Sequence, residues 1–190
     1  MKKVIVALLV LLVASCDLLT TRNPEQPVTL ANANIPATTP DILFDNLKSA
    51  LEEKVVENYM VCFVDTAFSK KKYRFIPSSG SSSQFPVLNS WNLESERQYF
   101  KNQKTVSKAG KSIAFGLSNK LNTQFGDSAI YQFDYNLSIA ANDLSISGEY
   151  IGTIQFKIAL DSRNQWVITE IDDYKKSSFP SWSELKGRLY

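Results

Sequence analysis

The sequence predicts an α+β domain of about 150 residues in which helices come first and a curved antiparallel meander of four or more strands follows. Three observations predict it. Apolar residues recur at helical spacing between Asp41 and Val64 and again after Asn92. From Ser112 onward the period changes from 3.6 to 2. The alternation is clearest where Tyr131, Phe133, Tyr135, Leu137 and Ile139 interleave with Gln132, Asp134, Asn136 and Ser138. Turn signals such as Asp161-Ser162-Arg163-Asn164 separate the later strands, leaving room for hairpins.

The chain opens with Lys2 and Lys3 and an unbroken apolar run from Val4 to Val13, ten residues. A helix of that length cannot span a hydrocarbon core of roughly 30 Å, so residues 1–15 read as a signal peptide. The segment Val13-Ala14-Ser15-Cys16 resembles the bacterial lipobox, in which small residues precede the cysteine. That resemblance implies diacylglycerol on the Cys16 thiol, cleavage before it and acylation of the new amino terminus, hence a lipid-anchored protein of the bacterial cell envelope. Asp17 resembles the inner-membrane retention residue of enteric bacteria; other phyla sort differently, so inner versus outer membrane stays open. Removing residues 1–15 removes two of the 21 basic residues, leaving 19 against 19 acidic ones and reducing the formal charge from +2 to zero. A neutral chain has no electrostatic footprint for nucleic acid.

Residues 16–40 read as the lipidated cysteine and a tether, since Pro24, Pro27, Pro36 and Pro40 fall among Thr, Asn and Ala without apolar periodicity. Such a chain reaches roughly 25 to 30 Å on average. Residues 41–190 form the domain. Leu43, Leu47, Ala50 and Leu51 share one face of a first helix over 41–53. Val56, Met60 and Phe63, with Tyr59 beside them, mark a second over 55–64. Cys62 has no partner once Cys16 is modified and reads as a buried small hydrophobe. The run Lys70-Lys71-Lys72 near Arg74 reads as a solvated loop, with contact to anionic headgroups as the rarer alternative. The serine-rich segment 77–86 reads as a mobile surface loop or a lid.

Asn92 predicts an N-cap, with Glu94 and Glu96 in the first turn opposing the dipole of a third helix of about ten residues. Strands follow around Ile113 to Leu117, Tyr131 to Ile139, Ile146 to Leu160 and Gln165 to Asp172, with Gly148 and Gly152 as bend points. Ser181-Trp182-Ser183-Glu184 fits a capping box, and Trp182, Leu185 and Leu189 share one face of a closing helix.

Helices followed by a meander that ends in Trp166-Val167-Ile168-Thr169-Glu170-Ile171-Asp172-Asp173 resemble the nuclear transport factor 2-like, or cystatin-like, superfamily. The segment Pro40-Asp41-Ile42-Leu43-Phe44-Asp45-Asn46-Leu47, then Tyr59 to Phe63, Trp91 with Phe100, and Trp182 with Leu185-Lys186 extend the likeness over residues 40–190. A lipocalin-like open β-barrel is the alternative. The resemblance implies a concave sheet wrapped around a helix, a cone that in the superfamily's enzymes holds an apolar molecule above a polar dyad. Tyr131, Phe133, Tyr135, Tyr150 and Trp166 are then the candidates to line a pocket.

The chain contains no histidine, which removes Asp–His dyads, Ser–His nucleophiles and the usual zinc sets. Glycine-rich phosphate loops, paired-cysteine motifs and calcium loops are also lacking, so no cofactor or metal is expected. A Tyr–carboxylate pairing remains, with Tyr59, Asp65, Glu170 and Asp172 as weak catalytic candidates. By strict alternation Glu170 and Asp172 share the face of Trp166 and Ile168; either that face points inward and both line a cavity, or they sit outward as solubilising charges. The sequence favours a non-catalytic binder of a hydrophobic ligand or an envelope protein; a small-molecule isomerase or hydrolase is the rival reading.

Overall fold

The computed structural model describes residues 34–176 and 178–190; the expected signal peptide, Cys16 and the expected tether as far as residue 33 lie outside the described residues. Helix α1 (Pro40–Glu53) begins where Thr39 accepts the Ile42 N–H on its hydroxyl and Pro40 fills the first turn, which needs no donor there. Leu43, Phe44, Leu47, Ala50 and Leu51 form its buried stripe. The helix ends at Lys54, held in the left-handed region at φ 57° while its ammonium donates to the Lys108 and Lys111 carbonyls.

Helix α2 (Val56–Val61) is shorter than the periodicity predicts. Its continuation turns extended because Ile168 competes for the backbone: the Ile168 N–H donates to the Cys62 carbonyl and the Val64 N–H donates to the Ile168 carbonyl. After it comes a strand that the sequence reading passes over, β1 (Arg74–Ile76), three residues long and buried only at Phe75. So short a segment has no measurable alternation of its own.

The serine-rich segment is not a loose loop. Gly80, at φ 82°, starts a one-turn helix α3 (Ser81–Gln84), and a 3₁₀ turn follows over Pro86–Ser90. Ser78 and Ser81 are buried, and the Ser78 hydroxyl lies 2.8 Å from that of Ser81 and 2.7 Å from that of Ser181. The Ser78 N–H donates to the Ser183 hydroxyl. Composition argues for disorder only when no partner is present; here the closing helix supplies hydrogen bonds more than 100 residues away in sequence.

Helix α4 (Leu93–Val106) runs four residues beyond the ten expected, with Asn92 capping the Glu94 and Ser95 N–H groups. The sheet follows as β2 (Ala114–Phe125), β3 (Ser128–Ser138), β4 (Glu149–Leu160) and β5 (Trp166–Lys175), and α5 (Trp182–Leu189) closes the chain with both halves of the predicted capping box formed. The order is β1-β5-β4-β3-β2. Strands β2 to β5 form the antiparallel meander, while β1 pairs with β5 in parallel, making the sheet mixed and five-stranded. It stays open between the edge strands β1 and β2, which excludes the barrel alternative.

One face of the meander carries Phe115, Tyr131, Phe133, Tyr135, Leu137, Ile154, Phe156 and Ile158, all buried beneath the helices. Phe44 from α1 meets the rings of Tyr131, Phe133 and Phe156 at centroid distances of 5.1, 5.1 and 5.3 Å, and so occupies the concave face. Gly152 is required within this layer: a Cβ there would lie 2.7 Å from the Tyr135 ring and from the Tyr174 carbonyl oxygen.

Candidate functional site

Strict alternation along β5 would put Glu170 and Asp172 on the face of Trp166 and Ile168. The register breaks it. Lys157 pairs with Glu170 and Ile158 with Ile168, so Thr169 is an extra residue in β5 opposite no partner in β4. This bulge moves every later side chain to the other face. Ile171 and Asp173 therefore point inward, opposite Phe156 and Ile154, and Glu170 and Asp172 point outward, opposite Lys157 and Gln155.

Outside, Glu170 takes the Lys157 ammonium and lies 3.3 Å from Arg74, while Asp172 lies 3.8 Å from Lys157. Burial under these long side chains raises the Asp172 carboxyl above the ordinary carboxylate range, with Lys157 acting in the opposite direction. Asp65 is exposed and its carboxylate accepts the Ala67 N–H, a local turn contact. The four expected catalytic candidates are thus scattered: Glu170 and Asp172 are together on the outer face, Asp65 is on a loop, and Tyr59 is inside.

Two buried polar constellations take their place. The first is built on Asp173. Its Oδ1 accepts the Tyr135 hydroxyl at 2.8 Å, and its Oδ2 accepts the Ser183 N–H at 2.7 Å and the Ser183 hydroxyl at 2.5 Å. The Tyr135 oxygen in turn accepts the Trp182 N–H at 2.7 Å. Burial raises the Asp173 carboxyl above its ordinary range, and these hydrogen bonds work against the shift. Burial likewise raises the Tyr135 phenol, with the Asp173 charge adding to it. A tyrosine that donates to one group and accepts from another is oriented and occupied.

The second is the pair Glu96–Lys186, with both side chains fully sealed from solvent. Glu96 Oε1 takes the Lys186 ammonium and the Tyr59 hydroxyl at 2.7 Å; Oε2 takes the Tyr73 hydroxyl at 2.9 Å and the Trp91 indole N–H at 2.8 Å. The ammonium lies 4.9, 5.5, 4.5 and 4.9 Å from the ring centroids of Phe75, Trp91, Tyr99 and Trp182. The negative faces of those rings supply what water would otherwise give the remaining charge. Burial still lowers the lysine below its ordinary range, against the pull of Glu96, and raises Tyr59 and Tyr73 well above theirs. The sequence marks Glu96 only as an acid opposing the helix dipole in the first turn of α4; its burial has no local signal. Lys186 is marked only by its place in the superfamily likeness, beside Leu185, and nothing local shows that it is buried.

Among the five expected pocket residues, Tyr131 and Phe133 pack on Phe44, and Trp166 is buried where its N–H donates to the Ala37 carbonyl. Tyr150 is buried, and its phenol is pushed up to about 12 by that burial. Tyr135 borders a groove of about 450 Å³, together with Gly116, Ser118, Asp134, Ile151 and Lys176. Ser118, Asp134 and Ile151 alternate with the buried positions, so the groove lies on the sheet face turned away from the helices. Its fixed charges are Asp134 and Lys176, 2.9 Å apart. Hydrogen bonds from Asn119, Lys176 and Thr153 lower the Asp134 carboxyl to about 2. Among the described residues there is no group of three or more acidic or sulfur ligands able to hold a metal ion, and no helix is long and apolar enough to cross a membrane.

No family model matches the sequence, and no curated protein does. Solved structures do match in shape. A candidate aromatic ring hydroxylase from Novosphingobium aromaticivorans superposes with a TM-score of 0.56 at 14% identity, over 77% of this chain and 92% of that one. A candidate dehydratase of the nuclear transport factor 2-like family from Streptomyces avermitilis gives 0.56 at 11% identity, over 74% and 100%. A candidate scytalone dehydratase from Novosphingobium aromaticivorans gives 0.54 at 9%, over 74% and 89%. Identities this low speak for architecture alone. Helices packed on an open, curved five-stranded sheet, with these neighbours, establish that the chain has the nuclear transport factor 2-like, or cystatin-like, fold.

Proposed function

We propose that this chain is a lipid-anchored protein of the bacterial cell envelope whose cystatin-like domain binds a hydrophobic ligand or an envelope protein without catalysing a reaction. The observation that carries the non-catalytic reading is the state of the two inward carboxylates. Asp173 and Glu96 are both buried, and each of their oxygens is already engaged by a donor of the protein itself. A general acid or base must reach its substrate's proton, directly or through one water. These two reach Tyr135, Ser183, Lys186 and Trp91 instead. The lipobox-like Val13-Ala14-Ser15-Cys16 supports the anchor, and the outer groove, with apolar Ile151 beside the Asp134–Lys176 pair, is the surface offered to a ligand.

The anchor is tested by mass spectrometry of the amino-terminal peptide and by fractionating cells that express the full chain. Acylated Cys16 and a membrane-bound protein are expected, with Cys16→Ala moving the protein to the soluble fraction; an unmodified Cys16 overturns the anchor. Binding is tested by mass spectrometry of lipids and proteins that co-purify with the chain from envelope extract. Repeated recovery of nothing specific would overturn it.

A second reading, an isomerase or hydrolase using Tyr and a carboxylate, is favoured by one contact: the Tyr135 hydroxyl donates to Asp173 at 2.8 Å, and Tyr135 also borders the groove. Turnover of any small carbonyl substrate that vanishes in Tyr135→Phe while the fold is retained would establish it.

A further inference from the structure

We propose that one end of the sheet, formed by the loop 66–72, the β4–β5 turn and the β2–β3 turn, is a docking surface for an anionic lipid bilayer, holding the domain down on the membrane to which Cys16 tethers it. The proposal rests on the lipid-anchor reading above and adds an orientation to it.

Backbone hydrogen bonds gather these segments at one end. The Ser162 N–H donates to the Phe68 carbonyl at 2.9 Å, and the Arg163 guanidinium stacks 3.9 Å over the Phe68 ring. Ser162, Phe68, Lys70 and Lys72 border one surface depression. The Leu160 N–H donates to the Asp127 carbonyl at 2.8 Å, bringing the β2–β3 turn to the same place. The Trp166 N–H donates to the Ala37 carbonyl at 2.8 Å, so the chain arriving from Cys16 enters the domain beside the same turn. The entry point and the loop thus lie at one end by geometry, whereas in sequence Ala37 and Lys70 are unrelated.

The chemistry displayed there suits a headgroup layer. Lys70, Lys71 and Lys72 are exposed, and no ion pair engages them among the described residues. Phe68 and Phe125 are large apolar side chains with 37 and 60% of their surface in solvent. The acidic groups at this end are Asp65, Asp127 and Asp161, with Glu57 bordering one depression together with Asp65 and Arg163; Asp161 pairs with Arg163, 2.6 Å away, and Glu57 with Arg97, 2.8 Å away, which leaves three lysines against Asp65 and Asp127. Basic side chains beside exposed aromatic ones, on the face where a lipidated chain attaches, are drawn to an anionic surface. At the opposite end, the loop after β3 exposes Leu144 completely and has Lys108 and Arg188 beside it, but the chain does not enter the domain there, so it serves as the internal control for a basic end without the entry point.

The test is hydrogen–deuterium exchange on the full chain held to vesicles through Cys16, by its own acyl groups or, where mass spectrometry finds the thiol unmodified, by coupling it to a maleimide lipid. Cys62 is buried with its thiol pushed up to about 12, so Cys16 alone couples. On vesicles containing phosphatidylglycerol, amides of 66–72 should exchange roughly fivefold or more slowly than on pure phosphatidylcholine, while 142–146 exchange equally on both. Lys70→Glu, Lys71→Glu and Lys72→Glu together should abolish the difference. Equal exchange of 66–72 on both vesicles, or slowing that survives the charge reversal, overturns the surface. The mass of the Cys16 peptide reports the anchor separately, so the two ideas fail independently.

Discussion

Glu96 and Lys186 illustrate what a single pair does in this molecule. Both charges are fully buried, which on its own costs several kcal/mol per ion, and the cost is offset only because four donors and four aromatic rings surround them. Glu96→Gln or Lys186→Met alone should each lower the unfolding free energy by about 3 to 5 kcal/mol, since each leaves an uncompensated partner. The double variant should lose at least about 2 kcal/mol less than the sum, as read by denaturant titration. Asp134 acts at the surface and with pH. Its carboxyl is lowered to about 2 in the folded chain by the Asn119, Lys176 and Thr153 hydrogen bonds, so its contribution is present above the ordinary value of 3.8 and lost as pH falls toward 2. The melting temperature of Asp134→Asn should accordingly fall less steeply between pH 4 and 2 than that of the parent chain. Asp173 has the opposite sign. Burial raises its carboxyl, so its contribution is complete below the ordinary value and shrinks as pH rises through the raised one.

At the scale of elements, the helix starts at Asn92 and Ser181 were legible because caps are local. Thr39, Asn92 and Ser181 each bind an N–H two or three residues ahead, and the sequence carries the whole motif within four positions. Asn92→Ala should destabilise the protein by about 1 kcal/mol in thermal or denaturant unfolding, with Asn92→Ser close to the parent. The meander was legible for the same reason, since alternation over ten residues is a local signal. Elements whose cause is remote were not. β1 exists because β5 pairs with it, and the segment 78–84 is ordered because Ser181 and Ser183 bind it. The early end of α2 follows from the pull of Ile168 on Cys62 and Val64.

For the whole molecule, the division follows the range of the forces. Composition, periodicity and capping motifs, read from neighbouring residues, were enough for an α+β chain, its helices-first order and its meander. Which carboxylate faces inward was decided only in three dimensions, where one bulged residue, Thr169, turns Glu170 and Asp172 out and Asp173 in. A buried Tyr–carboxylate contact joins Tyr135 and Asp173, neither of them among the catalytic candidates, and strict alternation had assigned Asp173 to the other face. The Glu96–Lys186 pair joins residues 90 positions apart, and no local pattern marks a lysine that will be enclosed by four rings. Local spacing reports how a segment folds; burial and register report what its side chains meet, and those depend on contacts the linear chain does not contain.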